Sequence, residues 1–248
     1  MLRFISLHKS FQNITALNDI NLNFQKNETI GLIGPNGSGK TTLLNIATGQ
    51  FKADQGRIEF FDQDVSNLLP HNLAELGFSR TFQNIRIYKR FTVLENILAA
   101  IILLPTSTFS RFWNRKGQNH VNEFENAEWA LECVGLIDQK NQLAKNLPLP
   151  SLRRLEIARI IARDPKVIFL DEPTGGMTPN ETELMGQLII EKVVRNKLCI
   201  IIEHKIRFIR DTCKRTCVLS SGKLIADGKT DTVLGSSKVK DAYLGVIP

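Results

Sequence analysis

The run Gly34-Pro35-Asn36-Gly37-Ser38-Gly39-Lys40-Thr41 constrains this chain more than any other stretch. It fits the pattern G-x-x-x-x-G-K-[ST] of a phosphate-binding loop. Its flanks agree. Thr29-Ile30-Gly31-Leu32-Ile33 reads as a short buried strand before it, and Thr42 to Ala47 as the start of a helix after it. The glycines let the backbone curl so that successive N–H groups converge on an anion. The helix N-terminus adds unpaired donors and a partial positive charge at the same spot. Lys40 is expected to reach the β- and γ-phosphates of a nucleotide, and the Thr41 hydroxyl to take a Mg²⁺ position. Residues 34 to 41 with Thr42 form the expected nucleotide-binding set.

A second stretch supplies acids. Val167-Ile168-Phe169-Leu170 is a continuous apolar run, as a strand buried on both faces requires. It ends in Asp171-Glu172-Pro173. A carboxylate there can hold Mg²⁺ opposite Thr41, and the next can orient and deprotonate an attacking water. Asp171 is assigned to the metal and Glu172 to the general base.

The rest of the composition sets limits. The 248 residues suit one domain, or one core with a sub-domain, and 42% of them are apolar, enough for a packed core. The net charge of +7 is compatible with nucleic acid, an anionic membrane surface or nucleotide phosphates as partners, but with no run of five Lys/Arg it reads as a solvated surface, and no nucleic-acid partner is expected. Cys133, Cys199, Cys213 and Cys217 form no C-x-x-C pair and read as reduced thiols. No secretory signal is expected. The longest apolar stretch, Ile97 to Leu104, falls far short of the ~20 residues that span a bilayer.

Along the chain, strand patterns cover Leu2–His8 and Ile20–Phe24, with a turn-like break over Lys9–Asn13. Arg57–Phe61 reads as a further strand, Pro70–Leu76 as a helix and Gly77–Phe82 as a strand. Thr92 and Glu95 form a capping-box pattern for a helix into Ile97–Leu104. Pro105–Gln118 reads as a loop. Val121, Phe124, Ala127, Leu131 and Val134 mark one helix face. Ser151–Arg163 and Glu181–Arg195 read as helices, and Leu198–Ile202 as a second buried strand. A short helix, strands over Arg215–Leu219 and Lys223–Ala226, and a helical tail close the chain. Strands alternating with helices around such a loop predict an α/β fold: a P-loop NTPase core with a mostly parallel sheet and an antiparallel β part at the N-terminus. Core residues are expected over about 1–69 and 164–248, with a helical insertion over about 70–163.

These motifs resemble the ATP-binding subunits of ABC transporters over essentially the whole chain. The matching stretches are Gly34–Thr41, Thr81-Phe82-Gln83-Asn84, Arg153–Arg159, Val167–Pro173 and Ile202-Glu203-His204. Ser79–Arg86, Thr92–Asn96, Gly176-Met177 with Pro179, and Ala242–Gly245 are similar to the branched-chain amino acid importer type. The resemblance implies ATP and Mg²⁺ as ligands. It implies that Gln83 contacts the metal and the attacking water, that His204 bonds the γ-phosphate and positions Glu172, and that Phe11 stacks on adenine. It also implies membrane permeases as partners, docked near Phe91 and Ile97–Leu104, a solute-binding protein acting indirectly, and a peripheral place on the cytoplasmic face of the inner membrane.

The chain departs from the family at its signature loop, usually Leu-Ser-Gly-Gly-Gln. Here it reads Leu147-Pro148-Leu149-Pro150-Ser151. In the family the fourth residue presents its N–H to the γ-phosphate held by an opposing subunit, and Pro150 has none. A heterodimer with an intact second ATPase is therefore expected over a homodimer. The D-loop lacks an acid, with Thr178 in its place. A lipopolysaccharide-export ATPase is the alternative within the fold. A regulatory ATPase that transports nothing is a further one, disfavoured because such proteins usually carry two cassettes in one chain, and a partly degenerate subunit that binds ATP but hydrolyses little is another.

Overall fold

A computed structural model describes residues 1–102 and 118–244. The N-terminal half opens with an antiparallel sheet of β1 (Leu2–Phe11), β2 (Ile14–Phe24), β4 (Gln55–Phe60) and β5 (Gln63–Asp64), in the order β2-β1-β4-β5. The break expected over Lys9–Asn13 shrinks to Gln12-Asn13. Lys9 pairs with Leu17, Ser10 with Thr15 and Phe11 with Ile14. Register shifts between Leu7 and Ser10 absorb the irregularity, so polar residues there bend the ladder without ending it.

The second sheet holds six strands in the order β10-β9-β3-β8-β7-β6. These are β3 (Thr29–Ile33), β6 (Phe78–Arg80), β7 (Val167–Asp171), β8 (Leu198–Ile202), β9 (Arg215–Ser220) and β10 (Lys223–Lys229). All neighbours are parallel except β9 and β10. Strand β7 shows why its sequence is apolar throughout. Val167 and Phe169 pack into a core with the antiparallel sheet and with Leu43 and Leu44 of α1 (Lys40–Ala47). Ile168 and Leu170 pack on the opposite face, against helices. Strand β8 divides in the same way, with Leu198, Ile200 and Ile202 on one face and Cys199 and Ile201 on the other. Both strands are sandwiched, so the period-2 pattern is apolar at every position.

The helices of the insertion include α2 (Pro70–Glu75), α3 (Val93–Ile102), α4 (Gln118–Cys133) and α5 (Leu149–Ile161). The capping box before α3 is present. Glu95 Oε2 accepts from Thr92 N–H at 2.6 Å, and Thr92 Oγ1 accepts from Glu95 N–H at 3.1 Å. The face expected on α4 is corrected at one position. Ala127, Ala130 and Leu131 are buried, whereas Phe124 is 48% exposed. The stretch 70–163 also contributes β6, which extends the parallel sheet beside β7 and is shorter than the strand expected over Gly77–Phe82. The loop expected over 105–117, the end of the Ile97–Leu104 run and Gly245 lie outside the described residues; Gln118 opens α4.

Beyond β7 come α6 (Pro179–Leu188), α7 (Ile206–Thr212), α8 (Thr230–Gly235) and α9 (Ser237–Leu244). The single helix expected over Glu181–Arg195 starts at Pro179, capped by Thr178 and Glu181, and widens to a π-helical turn over Ile189–Val193.

Candidate active site

The phosphate-binding loop joins β3 to α1. Gly34 has φ 152° and a Cβ there would lie 2.1 Å from Leu219 O; Gly39 has φ 104° and its Cβ would lie 2.5 Å from Ala16 O. Only glycine fits both positions, because φ is positive and the neighbouring strands press close. Lys40 is buried, and its Nζ donates to Gly34 O at 2.7 Å and to Pro35 O at 3.0 Å. Burial lowers its pKa, while Glu172 and Asp171 pull it the other way. The loop thus carries a buried cation bonded to its own carbonyls, ready for a polyphosphate. Thr41 opens the exposed side of α1.

Asp171 ends β7, as the sequence predicts. Its N–H donates to Thr81 Oγ1 at 2.8 Å. Its carboxylate accepts from Arg80 at 3.2 Å. Arg80 in turn donates to Asn45 Oδ1 at 2.8 Å and Thr48 Oγ1 at 3.1 Å, at the end of α1. Burial raises the pKa of Asp171, and the Arg80 charge opposes the rise. Thr41, Asp171 and Gln83 offer hard oxygen donors, the set that suits Mg²⁺ shared with phosphates. No group of three or more His, Cys, Asp or Glu among the described residues could hold a metal.

Glu172 follows at φ 49°, a left-handed conformation uncommon for a non-glycine residue. Its N–H donates to Ile202 O at 2.9 Å. The kink turns the chain out of the sheet. Glu172 Oε1 then lies 3.3 Å from His204 Nε2, and Oε2 lies 3.5 Å from Gln83 Nε2. Three predicted residues from the ends of β6, β7 and β8 therefore meet at one carboxylate.

Phe11 lies at the tip of the β1–β2 hairpin, 40% exposed, edge-on to Phe51 with ring centroids 5.5 Å apart. The same hairpin carries Ala16, whose carbonyl lies close to Gly39 of the phosphate loop. Pro148 caps α5 and Leu149 and Pro150 lie in its first turn, where proline is tolerated. Leu149 packs toward Gly176 and is 40% exposed.

Four charged side chains that bond to the site's segments were given no role by the sequence reading. Arg80 is one. Arg153, on α5, donates to Phe82 O at 3.2 Å and Gln83 O at 2.9 Å, tying the Gln83 loop to the signature helix. Glu203 and Lys205 flank His204 and both grip Thr174. Glu203 Oε1 accepts from Thr174 N–H at 3.0 Å and Oγ1 at 2.5 Å. Lys205 Nζ donates to Thr174 O at 3.0 Å, Met177 O at 3.3 Å and Thr182 Oγ1 at 2.9 Å. For Arg80, Arg153 and Glu203 the available signal was a charge inside a motif segment; Lys205 lies one residue past one.

A glycine-rich loop between β3 and α1, with acids at the end of β7 in the same sheet, defines a P-loop nucleoside triphosphatase. Residues 17–175 match the ABC transporter family model. The high-affinity branched-chain amino acid transport ATP-binding protein LivG of Escherichia coli (strain K12) is 36% identical over 241 residues, 95% of this chain and 94% of that protein. The lipopolysaccharide export system ATP-binding protein LptB of Haemophilus influenzae is 33% identical over 97% of this chain and 95% of that one. The ADP conformation of MJ1267, an ATP-binding cassette of an ABC transporter, superposes with TM-score 0.86 at 31% identity, covering 99% and 98% of the two chains. The chain belongs to the ABC transporter family, as an ATP-binding subunit.

Proposed function

We propose that this subunit hydrolyses ATP to drive import of branched-chain amino acids through membrane permeases. The observation that carries the chemistry is the Glu172 carboxylate, held between His204 at 3.3 Å and Gln83 at 3.5 Å, one residue after Asp171. Glu172 takes a proton from the attacking water. His204 holds Glu172 in place and Gln83 orients the water. The phosphate loop and Lys40 bind the polyphosphate; Thr41, Asp171 and Gln83 would hold Mg²⁺, which would supply positive charge to offset that on the transferred phosphoryl. Likeness to the Escherichia coli protein supports the substrate class. No helix among the described residues is long and apolar enough to cross a membrane, so membrane location is assigned to the permease partners. The 33% identity to the Haemophilus influenzae protein favours lipopolysaccharide export as the second reading.

The test is Glu172→Gln in the assembled transporter. ATP affinity is expected to stay and turnover at this loop's site to be lost, with a nucleotide-bound dimer trapped. Unchanged single-site turnover removes Glu172 from the mechanism. Uptake of labelled leucine by the same assembly separates the two cargo readings.

A further inference from the structure

The phosphate loop is walled from behind by the C-terminal part of the chain. A Cβ on Gly34 would lie 2.1 Å from Leu219 O of β9. In the β9–β10 turn, Gly222 N–H donates to Ser38 O at 3.1 Å, and Gly222 O accepts from Asn18 N–H at 2.8 Å. Helix α9 follows, packed on β10 and α8. The proposed chemistry makes no use of it. Its Tyr243 packs against the core cluster that contains Ile33, the residue before Gly34, and Val218, which pairs with Ile33 across β3 and β9.

The Tyr243 hydroxyl is costly where it stands. Its oxygen is buried and makes no hydrogen bond among the described residues. Phenylalanine would fill the same space without that cost, since a buried hydroxyl left unpaired is unfavourable. Burial raises the Tyr243 pKa, and the backbone of Gly34 beside it works against the rise. A backbone group that acts on a phenol in this direction is an N–H directed at its oxygen. Hydrogen bonds of a site that are poorly aligned without ligand tighten when the ligand is bound. Gly34 is a place where such a bond has leverage. Its carbonyl accepts from Lys40 Nζ at 2.7 Å, so a hold on Gly34 sets the residue on which the loop's lysine rests. Glycine has no side chain to fix its own conformation, and a tie from outside supplies what it lacks.

We propose that Tyr243 is a positioning residue for nucleotide binding: the Gly34 N–H donates to its hydroxyl oxygen and so fixes the entry of the phosphate loop from behind while the loop holds a polyphosphate. Tyr243 touches no phosphate itself. It lowers the ordering cost of the loop, and affinity gains by the cost that is removed. The proposal rests on the reading of residues 34–41 as the nucleotide-binding loop and needs neither the proposed base nor the proposed cargo.

The test compares the full chain with Tyr243→Phe, which removes the hydroxyl and keeps the ring. Affinity is read with a fluorescent ATP analogue and Mg²⁺, and thermal midpoints are read without nucleotide. The Gly34 amide is followed by ¹H–¹⁵N NMR of the glycine-labelled chain, with and without ATP. The dissociation constant is expected to rise by ~2- to 10-fold in the variant. The midpoint is expected to hold or rise, because an unpaired buried hydroxyl is gone. ATP is expected to move the Gly34 amide proton downfield in the wild type and less so in Tyr243→Phe. A tyrosine that merely packs would leave that response unchanged. Equal affinities, a loss of affinity matched by a fall in midpoint, or the same Gly34 response in both chains overturns the proposal. A wild-type chain that binds no ATP sinks the reading of the loop and the proposal together, whereas equal affinities sink the proposal alone.

Discussion

Arg80 holds the carboxylate of Asp171 at 3.2 Å, with both side chains only 8% exposed. A buried ion pair of this kind is weak evidence for stability, but breaking it is costly. Removal of one partner strands a charge where water cannot reach it, at about 3–5 kcal/mol. Arg80→Gln is therefore expected to lower unfolding stability by about that amount in urea titrations without metal. Asp171→Asn acts similarly by stranding Arg80. The double variant loses less than the sum of the two by about 1–3 kcal/mol, because the stranded charge is gone. Mg²⁺ with nucleotide should narrow the Arg80→Gln deficit, since the metal supplies Asp171 with a new counter-charge. Strict additivity of the two variants removes the coupling.

Glu203 and Lys205 act through Thr174. One binds its N–H and hydroxyl, the other its carbonyl, and His204 is mounted between them. The clip fixes the end of β8 to the turn that follows Glu172. Lys205→Met and Glu203→Gln are expected to let His204 drift from Glu172. A misplacement of about 1 Å is worth up to ~100-fold in rate. Single-turnover hydrolysis should fall by ~10- to 100-fold, with nucleotide affinity held, as read by a fluorescent ATP analogue. An equal loss of affinity assigns these residues to loop folding instead.

Lys40 titrates below its usual value of 10.5 in the folded chain, because burial disfavours its charge. Between the folded value and 10.5 the unfolded chain binds more protons than the folded one, so stability climbs as pH rises through that window. Lys40→Met should remove this climb. Bound nucleotide should also remove it, since phosphates favour the charged lysine. Urea titrations across alkaline pH, wild type against variant, decide the matter, and identical slopes exclude Lys40 as the source.

What the residues disclosed follows what can be decided locally. The phosphate loop was legible because its glycines are demanded by backbone conformation at Gly34 and Gly39. Strands β7 and β8 were legible because a strand buried on both faces must be apolar at every position. The Thr92–Glu95 box spans three residues and needs no tertiary context. Arg80 was not legible, since its partner Asp171 lies 91 positions away and nothing in an arginine announces that partner. Lys205 hid for the same reason, its three acceptors spread from Thr174 to Thr182. Phe124 misled because helical spacing fits a face but does not say whether the face has a neighbour.

Pro150 remains the chain's departure with the sharpest consequence. It occupies the first turn of α5, where backbone N–H groups are free to bind an anion, and it has no N–H to offer. A lost hydrogen bond to a charged group is worth roughly 1.5–3 kcal/mol, or ~10- to 100-fold. If the subunit works opposite a second ATPase with an intact signature, its own loop and Glu172 meet a good signature and turn over normally. The partner's nucleotide meets Leu149-Pro150-Ser151 and turns over slowly. Reverting Pro150→Gly with Ser151→Gln restores an N–H and an amide at that site. Glycine in the first turn costs about 1 kcal/mol at most, so the revertant should fold. Steady-state hydrolysis of the reconstituted complex should rise about tenfold at the partner's site. The gain should vanish when the partner's own catalytic glutamate is replaced. A revertant that gains nothing, or a gain that survives that replacement, shows that Pro150 does not face the opposing nucleotide.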